Sequence, residues 1–419
     1  MNQLKPIVFS ILFIVSIFAS IKIYKNEQFQ QQHKNELVEL SSVEYGLLNV
    51  DVWENLLADV IATKLQDFNA EETDDDDEMK KNVGALLKTL IDDYEKTTQK
   101  KNSGGLFGSV KNSLYASAFD GIRADIPMLT DKVMTFLDVK NNSDGIKQYI
   151  VVLLKKYTED SFSRTDYTTI NTIIDKHEGE TSAATVIILQ KKLEAQNEGV
   201  KIYKILLGGS FMVFTLLLFF AKAFTKPEYL VAILFSFLLL FLGVTLPMIE
   251  IDARISEISF SFLNESIDFQ NQVLFYKSKS IYEVVTLMMA QHKFEILIVG
   301  SLIFLFSVLF PITKLISSIL YLVSTKLKEN RIIHFFIFKT GKWSMADVFV
   351  IAIIMAFIGF EGIINDQLNQ LQGVSESVDI LTTNNSSVLF GFFSFTAFVV
   401  LSIAVSHKLH KSRTTGKNN

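Results

Sequence analysis

The stretch Gly341–Gly362, GKWSMADVFVIAIIMAFIGFEG, joins a long apolar run to a polar start. Residues 348–360 carry no charge and have the composition of a helix that crosses a bilayer. Ser344 and Asp347 have the Ser-x-x-Asp spacing of a capping box, in which Ser344 caps the helix and Asp347 bonds back to its amide. Trp343 is typical of the membrane interface. The stretch therefore predicts a transmembrane helix with a defined start.

Lys314 gives a second possible reason for the carboxylate of Asp347. It lies roughly 12 Å inside the end of the preceding apolar run, in the segment SVLFPITKL. A charge inside a membrane is costly, so it either reaches the interface along its own stem or pairs with an opposite charge. Both alternatives, capping alone and capping with an ion pair, are open here. Pro311, three residues earlier, predicts a kink.

The composition excludes several classes of function. The chain has 419 residues, of which 49% are hydrophobic, and its net charge of −5 argues against a nucleic-acid partner. It contains no cysteine, which excludes disulfides and thiolate chemistry. Its six histidines are scattered, and neither a phosphate loop nor a nucleophile elbow is present. We expect no enzyme activity, no metal and no cofactor.

Six segments approach the roughly 20 apolar residues that cross a bilayer. The first of them has no clear cleavage site after it and is interpreted as an uncleaved anchor. The predicted spans are Pro6–Ile23, Ile205–Phe224, Tyr229–Ile249, Phe294–Val323, Met345–Ile364 and Ser387–Ser406.

The distribution of lysine and arginine sets the expected orientation. Basic residues concentrate in the turn after the second span, in the segment between spans four and five, and in the tail after Ser406. The loop Asn365–Asn385 contains acidic residues and no base. Both termini are therefore expected in the cytoplasm, in a multi-pass protein of a bacterial inner membrane.

Two segments are expected outside the cytoplasm. Asn26–Lys204 has helical apolar spacing and predicts a bundle of about five to seven helices, the last of which continues into the second span. Within it, Glu71–Lys81 is interpreted as a solvated acidic loop rather than a cation site, and Lys100–Ser109 as a hinge. Glu250–Lys293 alternates with one slip and predicts a β-hairpin followed by a short helix. The alternative is that Phe260 and Phe262 of this segment pack on the bilayer or on the helical bundle.

The segment from Asn330 to Trp343 allows two interpretations. Its aromatic and basic residues suit an amphipathic helix that lies in the cytoplasmic interface. They suit equally a continuous extension of the fourth span.

Three motifs resemble the paraquat-inducible protein A family in order and spacing. They are GKWSMADVFVIAIIMAF, SVLFPITKL with its Pro-x-x-Lys, and LGVTLPMIEI with Pro247. The resemblance covers about 229–406. The expected fold is an all-α polytopic membrane protein with six transmembrane helices, a helical extracytoplasmic domain and a small outer β-hairpin. Its expected parts are an anchor (1–25), the extracytoplasmic domain (26–204), a second transmembrane helix with its turn (205–228), a four-span module (229–406) and a basic tail (407–419).

The resemblance implies a function. Members of this family are partners of mammalian-cell-entry-domain proteins, which conduct lipid across the periplasm, and the module loads or extracts that lipid. Membrane lipids and such a conduit protein are thus the expected partners. The residues expected to line a lipid path or to support it are Pro247, Pro311, Lys314, Trp343, Ser344 and Asp347.

The chain also departs from the family pattern. Family members carry cytoplasmic Cys-x-x-Cys zinc ribbons and often two tandem modules, whereas this chain has no cysteine and one module. The alternative function is a membrane sensor or assembly protein whose input domain is the helical bundle. That alternative lacks an output domain, because the segment after Ser406 is short. A neighbouring gene for a mammalian-cell-entry protein would favour lipid transport.

Overall fold

The structure, a computed structural model, describes residues 4–69, 165–220, 224–262, 265–291, 293–324, 330–339 and 378–417, and parts of 80–92, 123–137, 147–155 and 352–366. These residues are mostly helical. The helices are α1 Leu4–Leu40, α2 Val50–Asn69, α3 Ile126–Leu137, α4 Thr168–Lys176, α5 Ser182–Phe220, α6 Lys226–Thr245, α7 Ile281–Ala290, α8 Phe294–Val323, α9 Arg331–His334, α10 Met355–Ile364 and α11 Phe390–Lys417. The strands are β1 Ile249–Phe262, β2 Glu265–Lys279, β3 Val378–Asn384 and β4 Ser387–Val388.

Five of the described helices are long and apolar enough to cross a membrane. They are α1, α5, α6, α8 and α11, which correspond to five of the six predicted spans. The fifth predicted span is described in part, as the short apolar helix α10. Its first residues, Met345 to Ile351, lie outside the described part of the chain.

Helices α1 and α5 form a long antiparallel pair. They contain 37 and 39 residues, about twice the length that a bilayer requires. Phe9 packs edge-on against Phe214 near one end, with ring centroids 4.9 Å apart. Near the other end, Leu37 and Leu189 share a small core. As predicted, the helix that begins at Ser182 continues without a break into the second span.

Most of the described residues between α1 and α5 are helical. Helix α4 packs against α1 and α5 through Ile170 and Ile173. Helix α2 and the helical residues near 83 and 150 share a second small core around Ala58. The number of helices predicted here stays a prediction, because most of Glu71–Lys81 and all of Lys100–Ser109 lie outside the described residues.

The predicted hairpin is confirmed and belongs to a larger sheet. Strands β1 and β2 pair antiparallel, β3 pairs with the other edge of β1, and β4 pairs with the start of β1. The predicted slip in the alternation is a register shift between Ile255 and Glu257 in the pairing with β3. Strand β3 lies within the segment predicted to be an outer loop, so the hairpin prediction was incomplete.

Helix α2 covers one face of the sheet. The apolar side chains of Val52, Leu56 and Val60 pack on Ile258 and Phe269 of the two long strands. This burial gives the hairpin the second layer that an isolated pair of strands lacks.

The sheet divides the ends of the spans into two groups. We call the ends next to the sheet the sheet end; there α1, α6, α7 and α11 meet the strands, and Val273 N–H donates to the Ser41 carbonyl at 2.7 Å. We call the opposite side the tail end. There the Phe224 ring lies 5.8 Å from that of Phe9 and 5.7 Å from the Lys408 ammonium.

Helix α8 contains a π-helical turn at Leu305–Leu309, just before Pro311. Proline has no N–H and its ring crowds the carbonyl four residues earlier, so a widened turn relieves the clash. After α8, Ser324 is extended and Asn330 caps a new helix at Ile332 N. A helix that continues unbroken from the fourth span is therefore wrong. The helix is separate, and its position in the cytoplasmic interface stays a prediction.

Helices α6 and α11 form the most buried part of the membrane region. Gly243 allows this approach, because a Cβ there would lie 2.7 Å from the Phe395 Cα. Phe235, Leu239 and Phe395 are fully or almost fully buried between the packed helices.

Candidate functional site

The link between α6 and β1 is a compact corner at the sheet end. Helix α6 ends at Thr245, and the chain turns through Leu246 and Pro247 into the sheet. The Pro247 carbonyl accepts from Gly391 N–H at 3.1 Å. Gly391 is needed there, because a Cβ would lie 2.4 Å from the Leu246 carbonyl oxygen. The corner therefore fixes the end of one span against the start of the last.

Two cavities open on either side of this corner, with Gln31 and Pro247 in the lining of both. The larger has a volume of about 430 Å³ and the smaller about 170 Å³. We call them the corner cavities. The larger is lined by Tyr24, Gln28, Gln31, Thr245, Leu246, Pro247, Ser280, Tyr282 and Glu283. The smaller is lined by Glu27, Gln30, Gln31, Lys34, Asn197, Lys204, Pro247, Glu250, Tyr276, Ser278, Leu389 and Phe390.

Hydrogen bonds hold the polar wall of the larger cavity. The Gln31 amide donates to Glu283 Oε1 at 2.9 Å. Glu283 also accepts from Ser280 N–H through Oε2, and Ser280 Oγ accepts from Glu283 N–H, which together form the capping box of α7. The cavity thus presents amide and carboxylate groups in fixed positions.

Charged pairs hold the wall of the smaller cavity. The Lys34 ammonium contacts both oxygens of Glu250, and the Tyr276 hydroxyl donates to Glu250 Oε2 at 3.1 Å. Burial and the Glu250 carboxylate raise the pKa of Tyr276, so the phenol stays protonated and keeps donating. On the other side, Lys204 pairs with Glu27 at 2.7 Å.

The predicted site residues separate into three groups. Pro247 lines both corner cavities, although it lies in the link after α6 rather than within the helix. Pro311 and Lys314 are buried in the second half of α8 and line neither cavity. The described residues therefore do not bring Pro247 and Pro311 into one site.

Trp343, Ser344 and Asp347 lie outside the described residues. The capping box at Ser344 and its possible ion pair with Lys314 therefore stay predictions. Lys314 itself is 5% exposed. None of the ion pairs between described residues includes it.

A family model of paraquat-inducible protein A matches residues 270–369. The resemblance is confirmed over these residues. The match covers about a quarter of the 419 residues and contains Pro311, Lys314 and the motif with Trp343, Ser344 and Asp347. Together with the five apolar helices, the match is consistent with a membrane protein that resembles paraquat-inducible protein A over these residues. Comparisons with curated proteins and with solved structures gave no match.

Residues within the family match, 270–369, form one side of the larger cavity. Ser280, Tyr282 and Glu283 lie within the match, whereas Pro247 and the wall from α1 precede it. The cavity therefore combines the family segment with the preceding parts of this chain. The α1 wall was not predicted from the sequence, because Tyr24, Gln28 and Gln31 follow an apolar span without any distinctive motif.

The structure also brings together three residues that are scattered along the chain. His33 and Glu36 of α1 and His177 after α4 offer nitrogen and oxygen atoms that all lie within 4.8 Å of one another. No metal was predicted from the sequence, because its six histidines are scattered. We call these residues the His-Glu cluster; it is separate from the corner cavities.

Proposed function

We propose that this protein is the integral inner-membrane component of an intermembrane lipid-transport system. It loads lipid into a periplasmic conduit protein with mammalian-cell-entry domains, or extracts lipid from it. The corner cavities carry this proposal, because they place polar groups directly beyond the apolar surface of the spans. The match to paraquat-inducible protein A supports it.

The surroundings of the larger cavity suit a molecule with a polar head and apolar chains. The Tyr24 ring lies 5.7 Å from the Phe241 ring, and its hydroxyl accepts from the Gln28 amide at 2.9 Å. Phe241 and Ile21 are about half exposed on the helices that lead to the cavity. A lipid whose chains lie on these helices reaches the polar wall with its head group. Tyrosine is enriched at membrane–water interfaces.

The sheet end is the periplasmic side in this proposal. The basic residues Lys226 and Lys408 lie at the opposite, tail end, as the positive-inside rule requires of the cytoplasmic side. The corner cavities then face the compartment in which a conduit protein operates. The proposed role is non-covalent and needs no catalytic group.

Photocrosslinking tests the cavity. A photoreactive amino acid at Tyr282, which is exposed and lines the larger cavity, should capture one class of lipid in excess over its share of the membrane. The same amino acid at Leu287, which is exposed on α7 but lines neither cavity, should capture lipids in their bulk proportions. Gln31→Leu should abolish the enrichment at Tyr282. Equal lipid profiles at the two positions would contradict the proposal.

The competing sensor hypothesis is tested in the same cells. Loss of the gene should change the distribution of labelled lipid between inner and outer membranes if the protein transports lipid. A sensor would leave that distribution unchanged when the pathway it regulates is expressed constitutively.

A further inference from the structure

His33 is held in the orientation of a metal ligand. Its side chain is buried, and its Nδ1 lies 2.9 Å from the Phe29 carbonyl oxygen. A carbonyl only accepts, so Nδ1 carries the proton and Nε2 has a free lone pair. No described residue forms a hydrogen bond with this Nε2. Metal-binding histidines commonly donate their other N–H to a backbone carbonyl in this way.

Glu36 and His177 complete the set of donor atoms. Glu36 shares one face of α1 with His33, because it lies three residues further along the helix. His177 is buried, its Nε2 lies 2.8 Å from Glu36 Oε2, and its ring centroid lies 5.3 Å from that of His33. The three side chains are therefore close enough for one ion to replace the hydrogen bond between them.

Two lysines stand beside the cluster. Lys176 pairs with Glu36 Oε1, and the Lys192 ammonium lies 3.1 Å from His177 Nδ1. Because an ammonium only donates, Nδ1 accepts and the proton of His177 sits on Nε2, toward Glu36. Lys192 is exposed, so it can swing into solvent. Lys192 therefore competes with a bound cation for the His177 ring, and it can leave without disturbing buried packing.

We propose that His33, Glu36 and His177 bind a divalent transition-metal ion of the zinc class. Two imidazole nitrogens and one carboxylate oxygen are ligands that zinc accepts, and a water molecule completes four-coordination. On binding, His33 Nε2, Glu36 Oε2 and His177 Nε2 contact the ion. The His177 proton passes from Nε2 to Nδ1 through solvent, with no net proton change, and Lys192 moves away.

The ion ties α1 to the turn after α4. Helix α4 also packs on Leu189 of α5 through Ile170 and Ile173, so the metal fixes the outer half of the α1–α5 pair relative to the helical segment between them. This site does not depend on the proposed lipid function, since none of its residues lines a corner cavity.

Metal titration of the full-length protein tests the site. The protein is purified in detergent with an affinity tag that contains no histidine, and is stripped with a chelator. Titration with Co²⁺ should give one equivalent with the visible absorption of a nitrogen- and oxygen-ligated ion, and Zn²⁺ should displace it. His33→Gln should weaken Zn²⁺ binding at least about tenfold. A His407→Ala/His410→Ala variant, altered only in the C-terminal helix, should bind as the wild type does.

Lys192→Met distinguishes a specific effect on metal binding from a general loss of folding. It removes the cation that competes for His177, so Zn²⁺ should bind several-fold more tightly than to the wild type, a gain that misfolding cannot produce. The unfolding temperature without metal, measured for each variant, serves as the folding control. An unchanged Zn²⁺ affinity in both His33→Gln and Lys192→Met would overturn the proposal.

Discussion

The Lys34 ammonium contacts both carboxylate oxygens of Glu250, at 2.8 and 2.7 Å, and so joins the first helix to the first strand. Glu250 is almost fully buried, whereas the Lys34 side chain is one-third exposed. Together with the Tyr276 hydroxyl, this pair satisfies the carboxylate where the chain leaves the membrane. The contact couples helix α1 to the corner that lines both cavities.

Breaking this pair should destabilise the protein measurably. Lys34→Met leaves a buried carboxylate with one neutral donor and should cost about 1–3 kcal/mol. Lys34→Met/Glu250→Gln should cost less than the sum of the single variants. The unfolding temperature in nanodiscs is the measurement. Lys201→Met, at an exposed pair with Glu198 of 3.9 Å, is the matched control and should change little.

Gly391→Ala should prevent the corner from closing. Its Cβ would meet the carbonyl oxygens of Leu246 and Pro247 at 2.4 and 2.5 Å, and backbone cannot move aside as a flexible side chain can. We expect little folded protein in the membrane fraction. Gly208→Ala is the matched control: nothing lies within 4 Å of its Cβ, so in α5 it should be neutral or stabilise the helix by about 0.5–1 kcal/mol. Equal folded yields for the two variants would refute the close approach.

A disulfide should report the pairing of β1 with β3. Ser256 Oγ lies 3.1 Å from Thr383 Oγ1, and the chain contains no other cysteine to interfere. Ser256→Cys/Thr383→Cys should therefore oxidise readily, as seen by mobility after cleavage of the chain between the two positions. Ser256→Cys/Thr382→Cys serves as the control, since adjacent strand residues point to opposite faces. Efficient crosslinking of the control alone would show a different register.

The orientation can be tested by labelling single cysteines. Leu48 and Asn385 are exposed near the sheet, and Lys226 is exposed at the tail end. In spheroplasts, Leu48→Cys and Asn385→Cys should react with an impermeant maleimide, whereas Lys226→Cys should react only after the membrane is opened. The reverse pattern would place the sheet in the cytoplasm and remove the basis of the proposed lipid route.

Local sequence patterns predicted most helices and the first strands. They could not predict contacts between segments that lie far apart in the sequence. The alternation through Ile251, Ala253 and Ile255 predicted a strand, and the apolar run after Ser182 predicted the continuous α5. Strand β3 has only seven residues, and its stability comes from pairing with β1, more than 100 residues earlier. No periodicity within β3 contains that information.

The candidate sites likewise combine residues that a local motif reveals with residues that only tertiary contacts bring together. Pro247 was found because a proline at the end of an apolar run is conspicuous and belongs to a motif. The α1 wall of the cavity and the His-Glu cluster depend on how α1 packs against β1, α4 and α7. Glu36 and His177 are 141 residues apart, so their spacing gives no signal.

Lys314 places a charge inside the membrane region and is 5% exposed in α8. An unpaired lysine costs about 2.5–3.5 kcal/mol at the bilayer centre and less near the interface, so a carboxylate at Asp347 would offset part of that cost. If the two residues pair, Lys314→Met and Asp347→Asn should each impair lipid transport more than the double variant does. If Asp347 only caps its helix, Asp347→Ala should cost about 0.5–2 kcal/mol and leave transport intact. Strictly additive losses in transport and in unfolding temperature would exclude the pair and leave the capping box as the reason for the carboxylate in Trp-Ser-Met-Ala-Asp.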